Sequence, residues 1–127
     1  MKKGFTLLEL IVVIIIIGIL GTLGFTQYTK VIEKGRTAEA KAILGQMRTA
    51  EEAYYLEYGS RTATIGNLSL EAPTSCASTH YFSYSTDAST GTATRCTASG
   101  KTPNATGSYT VTITYATGVW GGSAGYY

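Results

Sequence analysis

The first 25 residues, MKKGFTLLELIVVIIIIGILGTLGF, constrain this chain more than any other stretch. From Phe5 to Phe25 the run is apolar except for Thr6, Glu9, Thr22 and its glycines, and Lys2 and Lys3 are the only charges before it. About 21 helical residues at about 1.5 Å each reach roughly 31 Å, the hydrocarbon thickness of a bilayer. Such a segment can span a membrane. Positive charge tends to stay on the cytoplasmic side, so the bulk of the chain is expected outside. An ordinary secretory signal has a shorter apolar region followed by small residues at a cut site, and this run supplies those parts poorly. Glu9 is the exception in the run: an ionised group in an apolar span costs about 2.5 to 3.5 kcal/mol at the helix centre, less near an end, and marks a functional candidate.

Charge argues against a polyanion partner. The chain has 10 Lys+Arg and 8 Asp+Glu, and setting Lys2 and Lys3 aside leaves 8 against 8, so no nucleic-acid binding follows from the basic pI. No catalytic constellation, phosphate loop or metal pattern is visible either, and no cofactor is called for. His80 stands beside two aromatics as a strand residue, and Asp87 is the only aspartate, a poor basis for a calcium site. Asn67-Leu68-Ser69 and Asn104-Ala105-Thr106 fit the glycan acceptor pattern, which is short and common, and both are read as chance matches.

Beyond Phe25 the helical pattern continues. From Gln27 to Tyr58 there is no proline, and Ala40, Ile43, Leu44, Met47, Ala50 and Tyr54 recur at spacings of three or four, which predicts an amphipathic continuation that stops at Gly59-Ser60. Gly18, Gly21 and Gly24 soften the apolar half, each by about 1 kcal/mol relative to alanine. Residues 61 to 79 lack periodicity and read as a loop. Short strands are expected at His80–Ser85, Thr92–Thr97 and Tyr109–Tyr115, the last alternating strictly between threonines and larger residues. The glycine-rich end from Thr117 is a tail or a last irregular strand, with Trp120 plugging the core or an interface. The fold class is therefore α+β: one long N-terminal helix with a small antiparallel sheet packed on its C-terminal half.

Cys76 and Cys96 lie in the part expected to leave the cytoplasm, where thiols oxidise and a structural disulfide is the default. Closing a loop of about 20 residues would stabilise by roughly 3 kcal/mol in the chain-entropy model. A metal or redox pair would need further ligands or a C-x-x-C spacing.

Gly4-Phe5-Thr6-Leu7-Leu8-Glu9-Leu10 resembles the prepilin cleavage and methylation motif of type IV pilins and type II secretion pseudopilins. The resemblance implies a leader, residues 1–4, that a prepilin peptidase removes by cutting between Gly4 and Phe5, followed by methylation of the new Phe5 amine. It implies residues 5–26 as the membrane and filament-core half of the helix, 27–58 as its amphipathic half, and 59–127 as an αβ loop, sheet and disulfide-closed region. Glu9 would pair with the Phe5 amine of a neighbouring copy. Partners would be the chain itself as a helical homopolymer, the inner-membrane assembly platform and motor, and the bacterial inner membrane before assembly. Many type IV pilins carry a proline where this chain has Thr26, so Gly18 to Thr26 is expected to be helical in the isolated subunit and to melt or stretch in a filament. Two cysteines and the lack of acidic residues after Asp87 favour an extracellular type IV pilus, for adhesion, motility or DNA uptake, over a periplasmic pseudopilus, although the cysteine loop ends short of the family's usual terminal position. The reading outside the family is a single-span anchored binding domain.

Overall fold

The computed structural model describes residues 2–127; Met1, the first residue of the expected leader, lies outside them. Helix α1 runs Leu7–Tyr58, followed by a 3-10 turn at Ile65–Asn67 and strands β1 Phe82–Thr86, β2 Thr90–Arg95, β3 Thr110–Thr114 and β4 Trp120–Gly122. By contacts the chain divides into two compact units, Met1–Glu33 and Lys34–Tyr127.

In the first unit, Leu7 to Phe25 is helical throughout and every side chain in it is exposed. Gly18, Gly21 and Gly24 are helical, with open space where a side chain would point. Near them the Thr22, Thr26 and Thr29 hydroxyls donate to the carbonyls of Ile19, Leu23 and Thr26 at 2.9, 3.1 and 3.0 Å. These hydroxyls lie in or beside an apolar stretch, and bonding back to the helix removes the cost of leaving them unpaired there.

In the second unit the helix buries a narrow stripe: Thr37, Ala40, Leu44, Met47 and Glu51. Their alternating spacing of three and four keeps them on one line facing the sheet. The stripe departs from the expected face at its end, because Tyr54 stacks on Tyr58 at 4.4 Å and stays half-buried while Glu51 takes the inward position. The sheet is antiparallel in the order β1-β2-β3-β4. Phe82 and Tyr84 of β1, Ala93 of β2, and Val111 and Ile113 of β3 point inward, with polar residues alternating outward. Gly91 lets the layers close, since a Cβ there would lie 3.2 Å from Leu44 Cδ2 and 2.8 Å from the Tyr115 hydroxyl.

Strand limits differ from expectation for a local reason. The Asp87 carboxylate accepts the Ser89 and Thr90 N–H groups at 2.9 and 2.6 Å, closing the turn early, so β2 starts at Thr90 and pairs Gly91 with Thr86. Those two bonds hold the Asp87 carboxyl below its usual range. The glycine-rich end forms a strand, β4, against β3, with Gly122 at φ +124 where any Cβ would strike the Thr110 carbonyl. The β1 edge is partly capped by the loop before it, through Tyr84 N–H to Pro73 O at 2.8 Å.

Three buried polar anchors fix the loops. Cys76 and Cys96 form a disulfide joining the loop before β1 to the end of β2. Arg95, almost fully buried, donates to the carbonyls of Tyr81, Cys96 and Thr102 and lies against the Tyr81 and Phe82 rings. Glu51 accepts the Thr62 N–H at 3.1 Å and the Thr86 hydroxyl at 3.4 Å, and that hydroxyl in turn accepts the Tyr115 O–H at 2.8 Å. One carboxylate thereby ties helix, loop and sheet together.

Burial pushes the Glu51 carboxyl above its ordinary range, outweighing the opposing bonds from Thr62 and Thr86 and the nearby Arg61 charge. The raised value means that Glu51 favours the folded state most fully below the unfolded glutamate value of about 4.3, and that this contribution is lost as pH rises through the higher folded value. Glu51→Gln keeps an acceptor for Thr62 and removes the titration. Thermal unfolding of the full chain in detergent should show parent stability gaining on the variant as the pH falls through that window; a pH-independent difference would contradict the assignment. Leu44→Ala should cost about 2 to 5 kcal/mol in denaturant unfolding, since it empties the centre of the stripe. A loss below about 1 kcal/mol would show that this face does not carry the core.

Candidate functional site

The helix start is built by reciprocal bonds. The Thr6 N–H donates to Glu9 Oε2 at 2.9 Å, and the Glu9 N–H donates to Thr6 Oγ1 at 3.2 Å. With Leu10 N–H bonded to Thr6 O at 3.2 Å, this is a capping box, Thr6 being the N-cap and Glu9 the third residue of the first turn. A carboxylate in that turn also faces the positive end of the helix dipole. The T-x-x-E spacing is legible in the sequence, yet sequence reasoning assigned Glu9 and Phe5 to assembly and passed over Thr6.

Gly4 and Phe5 precede the helix in exposed chain without regular secondary structure, with nothing packed against Gly4 and the Phe5 ring almost fully open. Phe5, Leu8, Glu9, Val12 and Val13 line one shallow apolar groove, so Phe5 and Glu9 share a surface. Glu9 Oε2 is engaged by Thr6, and the carboxylate remains exposed. The helix is long and apolar enough to cross a membrane.

The other site residues named from sequence belong to the second unit. Cys76 and Cys96 are disulfide-bonded and so are neither ligands nor nucleophiles. His80 Nδ1 lies 2.8 Å from the Thr79 hydroxyl. Among the described residues, no group of three His, Cys, Asp or Glu side chains could hold a metal ion.

The prokaryotic N-terminal methylation motif matches residues 1–25, and the family described as type IV pilin-like G and H matches residues 37–122. The chain belongs to the type IV pilin-like family. No curated protein matches it. Pilin-family domains are structural, and membership implies a subunit that polymerises with its own copies after processing by a prepilin peptidase. The apolar helix and the methylation motif fit a membrane-anchored precursor of such a subunit. In this pilin-like chain the methylation motif and the capping box share the same residues, Thr6 and Glu9.

Thr6→Val removes the hydroxyl that caps the helix, a change worth about 0.5 to 2 kcal/mol at an N-cap. Hydrogen exchange of the full chain in detergent should show faster exchange at the first-turn amides, Glu9 above all, with exchange in residues 34–58 unchanged. Equal protection at Glu9 in parent and variant would contradict the capping role.

Proposed function

We propose that this chain is the structural subunit of a type IV pilus, assembled by cleavage between Gly4 and Phe5, methylation of the Phe5 amine, and withdrawal of residues 5–26 from the inner membrane into a filament core. The Cys76–Cys96 bridge supports a domain that works outside the cytoplasm, in the periplasm or beyond it, and the lack of acidic residues after Asp87 supports the pilus over the pseudopilus. Residues 1–4 are then a discarded leader, 27–58 the helical half that carries the domain, and 59–127 the surface-facing part. An assembly platform and motor in the inner membrane would supply the subunits, and the fibre would serve adhesion, motility or DNA uptake.

Glu9 and Phe5 are proposed as the assembly pair. A carboxylate leaving lipid for a packed filament core needs a cation, and the methylated amine of an incoming copy is the cation its own motif provides. Unpaired, the charge stays uncompensated in an apolar setting, so a misplaced subunit is rejected. Gly18, Gly21 and Gly24 are proposed as the segment that stretches when the helix is repacked, since the propensity cost of glycine is concentrated there.

Electron microscopy of sheared surface material, with mass spectrometry of the subunit's first residue, tests this directly. Long fibres whose subunits begin with methylated Phe5 are expected; short fibres confined to the periplasm would assign the chain to a secretion pseudopilus, and an intact Met1 would overturn the processing. Glu9→Gln should lower fibre yield at least tenfold if the lost pair is worth more than about 1.4 kcal/mol, with normal subunit levels in the membrane. Normal yield would contradict the pairing.

A further inference from the structure

Beside its buried stripe, α1 turns a second row toward the end of the sheet. Gly45, Arg48 and Glu52 follow one another at spacings of three and four, so they share one face of the helix. With Gly118 of the turn after β3 and Trp120 of β4 they line an open cleft of about 490 Å³. That volume is within the range of small-ligand sites.

Arg48 is fixed in this cleft by the chain itself. Its Nε donates to the Tyr115 carbonyl at 2.9 Å, and the turn backbone comes so near that a Cβ at Gly118 would lie 2.8 Å from Nη1. Gly118 stands at φ +70 and its N–H donates to the Thr114 carbonyl at 2.7 Å, so the turn and the guanidinium both require a glycine there. The neighbouring carboxylates are engaged elsewhere: Glu52 Oε2 accepts from Arg61 Nη2 at 2.9 Å, and Glu51 is buried against Thr62 and Thr86. Lys41 adds a second cation beside the cleft, its Nζ 5.8 Å from the centre of the Trp120 ring. The exposed Arg48 fork is thus ordered before any ligand arrives, and such a fork receives a carboxylate through two parallel hydrogen bonds.

The other walls select what carries that carboxylate. Trp120 is half-buried and supplies a flat apolar surface for the C–H face of a sugar ring. The Thr49 hydroxyl spends its proton on the Gly45 carbonyl at 3.2 Å, so toward the cleft it can only accept. Glu52 is an acceptor as well. Acceptors beside an aromatic wall suit a ring that bears hydroxyl donors.

We infer that this cleft binds an acidic sugar, with its carboxylate on the Arg48 fork and its ring against Trp120. The site lies wholly within the second unit and does not depend on the fibre reading.

The test titrates the full chain in detergent with D-glucuronate, following the Trp120 indole and the Gly118 amide by NMR. Saturable shifts at both, with a Kd on the order of 1 mM, are expected for a ligand of this size. D-Glucose, which lacks the carboxylate, and N-acetylglutamate, which lacks the sugar ring, should each bind at least roughly tenfold more weakly. Arg48→Gln should weaken glucuronate about tenfold to a hundredfold and leave the weaker glucose binding unchanged, a split that a folding defect would not give. Arg48→Lys keeps the charge without the fork and should recover only part of the loss. No shift at Trp120 and Gly118 in the parent, glucose binding as tightly as glucuronate, or equal loss of both sugars in Arg48→Gln would overturn the site. N-acetylglutamate binding as tightly as glucuronate would assign the fork to a peptide carboxylate and overturn the sugar.

Discussion

The structure depends on an apolar surface that the subunit cannot bury by itself. Leu7 to Phe25 is fully helical, so its backbone groups are satisfied internally, but every side chain along it is exposed. In water such a stripe associates, and in lipid it is at home. A helix of this kind has only two acceptable surroundings, a bilayer or other apolar helices, and membership of a polymer-forming family supplies the second. The remainder of the chain can be understood as what makes the transfer from one to the other orderly.

At the tip of that helix one side chain serves two physical demands. Glu9 caps its own first turn through Thr6, which gives the carboxylate a fixed direction on an exposed surface. Under the proposed assembly step the same carboxylate meets an amine from outside. Rigidity acquired inside the subunit lowers the entropic cost of that encounter, because the side chain is already ordered before the partner arrives. In the second unit, Glu51, Arg95 and the Cys76–Cys96 bridge tie the sheet to the helix and the loops.

Much of this was legible in the amino-acid order. The long helix followed from an apolar run joined to three-and-four spacing without proline, and β3 from the strict alternation of Thr110, Thr112 and Thr114 with Val111 and Ile113. What was less legible depended on partners distant in sequence. Glu51 follows Arg48 by three residues, a spacing that suits a solvated helix pair, but it is buried, with Thr62 and Thr86 bonded to it from the loop and the sheet. Arg95 falls inside the expected strand Thr92–Thr97, and nothing local shows that its side chain serves the carbonyls of Tyr81, Cys96 and Thr102. Composition does not show β4, because Gly121 and Gly122 carry no strand propensity, and pairing with β3 supplies what composition does not. Thr6 differs from these, because its T-x-x-E signature is local and its cap forms within one helix turn.

The central claim is that residues 5–25 exchange lipid for copies of themselves, with Glu9 as the group that checks the exchange. Electron cryomicroscopy of the native fibre measures this most directly. The account predicts a core made of the Phe5–Phe25 helices, with each Glu9 carboxylate within hydrogen-bonding distance of the Phe5 amine of a neighbouring copy. A fibre whose apolar helices lie on its outer surface, or in which Glu9 faces only solvent and Phe5 amines lie far from every carboxylate, would contradict it.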